Sequence, residues 1–203
     1  MYKHFLKRFI DLVISLLALP FWLIILFIIG PAIYFHDKGS IFYNAPRLGR
    51  DGKVFSMYKF RSMKMNSPDI RNQDGSTYNS ERDPRLTKIG HFLRRTSLDE
   101  TPQLLNIIKG DMSIIGPRPD LPDAALIYTD AQKRKLAVRP GITGYNQAYF
   151  RNSISQDEKF GNDVFYVNNL TLKLDIKIFF ITLVTVLKKE KINNQGFSRE
   201  YNG

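Results

Sequence analysis

Asp99 and Glu100 stand side by side in Arg94-Arg95-Thr96-Ser97-Leu98-Asp99-Glu100-Thr101-Pro102-Gln103, two carboxylates beside a pair of arginines. A carboxylate can attack phosphorus or a glycosyl carbon, accept a proton, or ligate Mg²⁺. Cations around it neutralise an anionic substrate and stabilise charge on a departing phosphate. Arg94, Arg95 and Arg118 are candidates for that work, with Pro117 and Pro119 stiffening the chain on either side of Arg118. The chemistry this set suits is phosphoryl transfer with a divalent metal held at Asp99 and Glu100. A plainer reading stays open at this point. Ser97-x-x-Glu100 matches a capping box, and acids in a first helical turn suit the macrodipole.

Other chemistries lose their residues. The 203-residue chain has no cysteine and three scattered histidines, so thiolate catalysis, Cys-ligated metals and a His-rich zinc site are excluded. No glycine-rich nucleotide loop supports an ATP-driven kinase. Thirty Lys and Arg against 19 Asp and Glu give a net charge of +11, which calls for an anionic partner: phosphorylated small molecules, lipid headgroups or nucleic acid.

The elements around the pair come next. Ile41–Tyr43 and Val54–Tyr58 read as strands of a hairpin turned at Gly49-Arg50-Asp51-Gly52. Residues 64–85 read as a long polar loop, of the kind that is functional or mobile. Helices are expected near 86–95, 101–109, 122–137 and 155–168, with Thr101-Pro102 opening one and Gly110 closing it. Residues 170–189 mix apolar side chains with lysines and suit a membrane interface or a core helix equally.

Leu12 to Phe35 carries no charge and is long enough to cross a bilayer as a helix. No cleavage site follows, so it reads as a retained anchor. Pro20 sits inside it. By pattern alone a kinked spanning helix is favoured over a segment that enters and leaves by one face. Lys7, Arg8 and Asp11 precede the run and form an interface anchor in which Asp11 can pair with either cation.

The motifs taken in order carry a resemblance. Lys59-Phe60-Arg61-Ser62-Met63, Asp83-Pro84-Arg85, Thr96–Glu100, Lys109-Gly110-Asp111-Met112-Ser113, Gly116-Pro117-Arg118-Pro119 and Arg139-Pro140-Gly141-Ile142-Thr143-Gly144 follow one another. This series resembles the bacterial sugar transferase family, the monotopic polyprenyl-phosphate phosphoglycosyl transferases, over nearly the whole chain. The resemblance implies transfer of a sugar 1-phosphate from a UDP-sugar to undecaprenyl phosphate, with UMP released through an aspartyl phosphosugar intermediate. It implies Asp99 as nucleophile, Glu100 as its acidic partner, and Mg²⁺ at the pair. Arg94 and Arg118, framed by Pro117 and Pro119, would bind phosphate or nucleotide, with Arg139 and Lys59 added to them. Gln147 and Arg151 match the family motif after Gly144, whereas Tyr145 and Phe150 replace a Trp and a Gly, which bears on the sugar or nucleotide pocket.

The resemblance also implies the fold: α+β, mainly helical, with a small β-hairpin and interfacial amphipathic helices. Residues 1–36 would be a re-entrant membrane helix broken at Pro20, 37–190 a cytosolic catalytic domain on the inner membrane, and 191–203 a polar tail. It reads as the short form of the family, without further membrane helices. Expected partners are the UDP-sugar, undecaprenyl phosphate and the bacterial membrane, not nucleic acid, with a homodimer open. The competing readings are a non-catalytic basic membrane protein that binds anionic lipid or nucleic acid, and a transferase that moves the sugar alone and releases UDP.

Overall fold

The computed structural model describes residues 2–70, 78, 80, 83–150 and 154–187. The polar tail expected at 191–203 and Arg151 lie outside the described residues. After one π-helical turn (Tyr2–Leu6), the chain forms α1, Lys7–Asp37. A hairpin of β1 (Phe42–Leu48) and β2 (Val54–Phe60) follows, antiparallel from Phe42↔Phe60 to Leu48↔Val54. Its turn is the predicted one, with Asp51 and Gly52 both at positive φ. Then come α2 (Lys88–Thr96), α3 (Gln103–Lys109), β3 (Ser113–Ile115), β4 (Gly141–Thr143), α4 (Tyr145–Tyr149), α5 (Gln156–Asn168) and α6 (Leu172–Leu187). The architecture is α+β and mainly helical.

Four elements depart from the sequence expectation. The helix expected at 122–137 is two 3₁₀ turns, Pro122–Leu126 and Gln132–Ala137. Between them the Gln132 side chain accepts from the Thr129 N–H and the Thr129 hydroxyl accepts from the Gln132 N–H, so side chains take the bonds a helix would need. β3 and β4 pair in parallel through Ser113↔Gly141 and Ile115↔Thr143, too short a ladder to show a period. Five-residue α4 went unpredicted for the same reason.

Helical backbone runs through Pro20 with no loop between the halves, where a helix-break-helix was expected. The buried residues of α1 are Asp11, Ser15, Trp22, Ile29, Gly30 and Ile33, spaced as one face of a helix. That face meets the globular part at both ends of α1. Ile29 and Ile33 join Phe60 and Leu93 in one apolar cluster, and Trp22 stacks on Phe60 at 6.5 Å between ring centroids.

The anchor residues make different bonds from those expected. Asp11 pairs with neither Lys7 nor Arg8; its carboxylate accepts from the Ser113 hydroxyl (2.7 Å) and the Ile114 N–H (3.1 Å). Lys7 reaches Asp175 of α6 at 2.7 Å, where the Tyr2 and Tyr166 hydroxyls also donate. Arg8 donates to the Ile107 and Ile108 carbonyls at the end of α3. Tertiary partners won because the buried Asp175 carboxylate needs a cation and the Ile108 carbonyl needs a donor.

The outer face of α1 is apolar and exposed: Phe9, Leu17, Phe21, Phe27, Ile28 and Phe35 are each more than half exposed. Each gains about 1.5–3 kcal/mol on leaving water. Together they rival the ~5–15 kcal/mol that holds a whole domain folded. This is a membrane protein's surface, on a helix long and apolar enough to cross a bilayer. α6 packs one face into the core and leaves an apolar face exposed. Asp175 and Ile178 are buried on one side, while Ile176, Phe179, Phe180, Leu183 and Val184 stand exposed on the other.

Candidate active site

The carboxylate pair sits in the joint between α2 and α3. The Thr87 side chain caps α2 by accepting from the Gly90 N–H at 2.9 Å. α2 ends at Ser97, whose left-handed backbone (φ 58°) turns the chain into a 3₁₀ turn, Leu98–Glu100. The capping-box reading does not hold. Ser97 closes the helix before it, makes no side-chain cap, and the Glu100 carboxylate points elsewhere. Nor does Thr101 cap α3. Its hydroxyl returns to the Leu98 carbonyl, and buried Pro102 precedes the first helical residue.

Glu100 Oε1 accepts from Lys59 Nζ at 2.7 Å and lies 3.5 Å from an Arg118 nitrogen. Burial raises its pKa, but the two cations outweigh that and hold it near 2. Asp99 is 7% exposed, and its carboxylate accepts no hydrogen bond from a described residue. Burial pushes Asp99 up from 3.8 to about 6; Lys59, Arg94 and Arg118 pull it back, while Glu100 adds to the rise. The two neighbours have been driven apart, one firmly ionised and ion-paired, one basic and open. Such a split separates roles in an acid–base or nucleophilic site. Arg94, from the last turn of α2, donates to the Ser62 hydroxyl at 3.1 Å, and burial lowers its pKa despite nearby Asp99.

A cavity of about 1480 Å³ opens over the pair. It exceeds the ~300–1,000 Å³ of an ordinary small-molecule pocket and has room for two substrates. Its walls include Ala18, Phe21, Trp22 and Ile25 of α1, the charged set Lys59, Arg94, Asp99, Glu100 and Arg118, and Thr143, Asn146, Gln147 and Thr182. Both carboxamide atoms of Gln147 are buried without a partner.

The structure therefore gathers Asp99, Glu100, Lys59, Arg94, Arg118, Pro119 and Gln147 around one cavity. Pro117 holds the edge of that group, its carbonyl accepting from the Gly141 N–H at 2.9 Å. Arg139 is not with them. It donates to the Gly110 carbonyl at 2.7 Å, and with Arg8 it satisfies the carbonyl end of α3, where a cation suits the helix dipole. Tyr145 and Phe150 pack with Tyr149 and Phe165 as an aromatic cluster and do not line the cavity. Sequence reasoning missed Ser62 as the partner of Arg94 and Trp22 as a wall of the site. Their only signal was membership in the Lys59–Met63 motif and in the apolar run.

The family model for bacterial sugar transferases matches residues 2–189. The chain belongs to the bacterial sugar transferase family. It is 42% identical to Galactosyl transferase CpsE of Streptococcus agalactiae, covering 92% of this chain and 43% of that protein. It is 39% identical to the Undecaprenyl-phosphate galactose phosphotransferase of Salmonella typhimurium, covering 93% of this chain and 42% of the relative. The uncharacterized sugar transferase EpsL of Bacillus subtilis, 41% identical, is matched over 90% of its length. The chain thus spans less than half of the first two relatives and nearly all of the third.

Proposed function

We propose that this transferase moves a sugar 1-phosphate from a UDP-sugar to undecaprenyl phosphate at the cytosolic face of the inner membrane. The observation that carries the reading is Asp99: buried, basic for a carboxylate, without a hydrogen bond from any described residue, and set among Lys59, Arg94 and Arg118 in a cavity that reaches the apolar helix α1. The named activity of the Salmonella relative supports it. Asp99 attacks the sugar-proximal phosphorus; the bond to the UMP oxygen breaks and UMP leaves. An oxygen of the lipid phosphate then attacks the same phosphorus, frees the Asp99 carboxylate and yields the lipid-linked diphosphosugar. Glu100, held ionised, fixes Lys59 and Arg118 where charge accumulates on the phosphates.

Mg²⁺ fits this donor set as a shared ligand. Asp99 and Glu100 are consecutive carboxylates that feel each other's charge, no cluster of three ligands exists among the described residues, and Mg²⁺ commonly takes one or two carboxylates plus substrate phosphates. When bound, it supplies charge neutralisation at the diphosphate. α1 meets the domain at both ends, which supports a helix seated in one face of the membrane rather than crossing it.

The test is a purified, detergent-solubilised preparation with Mg²⁺, undecaprenyl phosphate and a panel of UDP-sugars, including UDP-galactose. UMP, abolished by chelator, is the expected product. UDP would mean transfer of the sugar alone, and binding without turnover would favour a non-catalytic protein. Because Asp99 must be ionised to attack, kcat/KM should hold level above pH 6 and fall about tenfold per unit below it. Lys59→Met should move that limb upward, since Lys59 holds Asp99 down. A limb at pH 4 in both forms would contradict the assignment.

The Gln147 carboxamide, buried in the cavity wall with no bond from a described residue, has a donor and an acceptor to give to the UDP-sugar. Gln147→Leu should raise the donor KM by about 10-fold, the worth of one hydrogen bond, with kcat little changed. An unaltered KM would remove Gln147 from the binding site.

A further inference from the structure

Arg118 reaches Glu100 from a segment with few anchors of its own. Pro117 and Pro119 have no N–H to donate, and Arg118 is 55% exposed with its contact to Glu100 at 3.5 Å. The backbone of this strap is tied by two acceptors, the Pro117 carbonyl to Gly141 and the Asp120 carbonyl to Leu48, each at 2.9 Å. Its side-chain tie is the Asp120 carboxylate, which lies 2.5 Å from Lys135 Nζ and accepts from the Tyr128 hydroxyl at 2.6 Å.

Lys135 is 3% exposed and also lies 2.5 Å from Asp163 of α5, itself 3% exposed. Its ammonium faces the Phe160 and Tyr128 rings, 5.0 and 5.7 Å from their centroids. Asn146 donates to the other Asp163 oxygen at 2.8 Å. Two carboxylates thus share one ammonium in an apolar cage. Such a buried triad adds little net stability over apolar residues of the same volume, yet fixes its members to one geometry and is costly to break on one side.

We infer that Lys135 is a positioning residue: through Asp120 it clamps the Pro117–Asp120 strap to α5 and so holds Arg118 at the carboxylate pair. This rests on the reaction proposed above. The strap's carbonyl ties fix its ends, and the ion triad fixes the side on which Arg118 must project. A displacement of about 1 Å in a group that stabilises transferring phosphate can cost about 10²-fold in rate.

Two readouts on the full detergent-solubilised chain test it: hydrogen exchange at the Leu48 and Gly141 amides, which donate to the strap's Asp120 and Pro117 carbonyls, and UMP release. Lys135→Met and Asp120→Asn should both speed that exchange and lower UMP release, by about 10- to 100-fold for Lys135→Met. Combining Lys135→Met with Arg118→Ala should cost no more than Arg118→Ala alone, because the lysine acts through that arginine. Asp157→Ala breaks the exposed Gln132–Asp157 bond between the same turn and α5 without touching the triad. It should stay within about twofold of the unmodified chain in both readouts. Asp120→Asn, equal in shape, carries the test should Lys135→Met fail to fold.

Exchange unchanged at these two amides in a folded variant, or losses that multiply in the double variant, would overturn the clamp. Absence of UMP from the unmodified chain would overturn the reaction instead, and the exchange readout would still decide the clamp.

Discussion

Asp99→Asn is expected to lose UMP release by about 10³-fold or more, and at the same time to melt at a higher temperature than the unmodified chain. The first effect follows from removing the nucleophile while keeping its shape. The second follows from burial. Burial pushes Asp99 up to about 6 in the folded protein from the ordinary 3.8, so its ionised form is disfavoured by the fold. The sign follows from proton binding. Between about pH 4 and pH 6 the folded state holds a proton that the unfolded state has lost. Stability therefore declines as pH rises through that window, and the full cost persists above it. Asn removes that cost, of order 1–3 kcal/mol, or several degrees in melting temperature for a chain of this size. The gain should vanish below about pH 4, where both states hold the proton. Paired melting curves at pH 4 and pH 7.5, run beside the UMP assay, check both halves. Retained turnover would sink the assignment of Asp99, and a lower melting temperature at pH 7.5 would sink the account of its burial.

Gly90→Ala is expected to unfold or severely weaken the catalytic domain although it lies away from the reacting groups. A Cβ at Gly90 would sit 1.7 Å from the Ser62 carbonyl oxygen, and both groups are backbone-held. The Thr87 N–H donates to that same carbonyl at 3.1 Å, so the first turn of α2 is laid directly on the chain leaving β2. The Ser62 hydroxyl in turn receives Arg94. A methyl group there must drive α2 off β2, at a cost of about 3 kcal/mol or more, and would shift Arg94 and the carboxylate pair that follows α2. Gly161→Ala in α5 is the contrast. Nothing lies within 4 Å of its Cβ, and the better helix former should stabilise by up to about 1 kcal/mol. Melting temperatures of the two variants read side by side decide the matter. Equal behaviour would mean that the α2–β2 contact is not as close as described.

The hairpin turn was legible because Asp51-Gly52 carries its own signal in backbone freedom, and α5 because Ser155 and Glu158 form the capping box that its residue types announce. The same pattern at Ser97 and Glu100 misled, since Lys59 and Arg118 compete for Glu100 from elements 41 and 18 residues away. Arg139 misled in the same way. Its motif placed it near the substrate, and the free carbonyl end of α3 claimed it. Such competition is settled by which buried group would otherwise go unpaired, and no local window contains that information.

By itself the sequence determined the membrane-bound character of the chain, the mainly helical α+β class, and the chemistry available at Asp99 and Glu100. Those depend on composition, on an uncharged run longer than a bilayer's hydrocarbon core, and on ordered short motifs. Only the tertiary structure decided that Asp99 is the basic, open carboxylate and Glu100 the ion-paired one. Burial and long-range cations set those states, and they exist only once β2, α2 and the Pro117–Asp120 strap have met. The same holds for Lys7, Arg8 and Asp11, whose partners on α6, α3 and β3 are more than 90 residues distant. What a residue can do is written in its type; which charge it carries is written in what the fold packs against it.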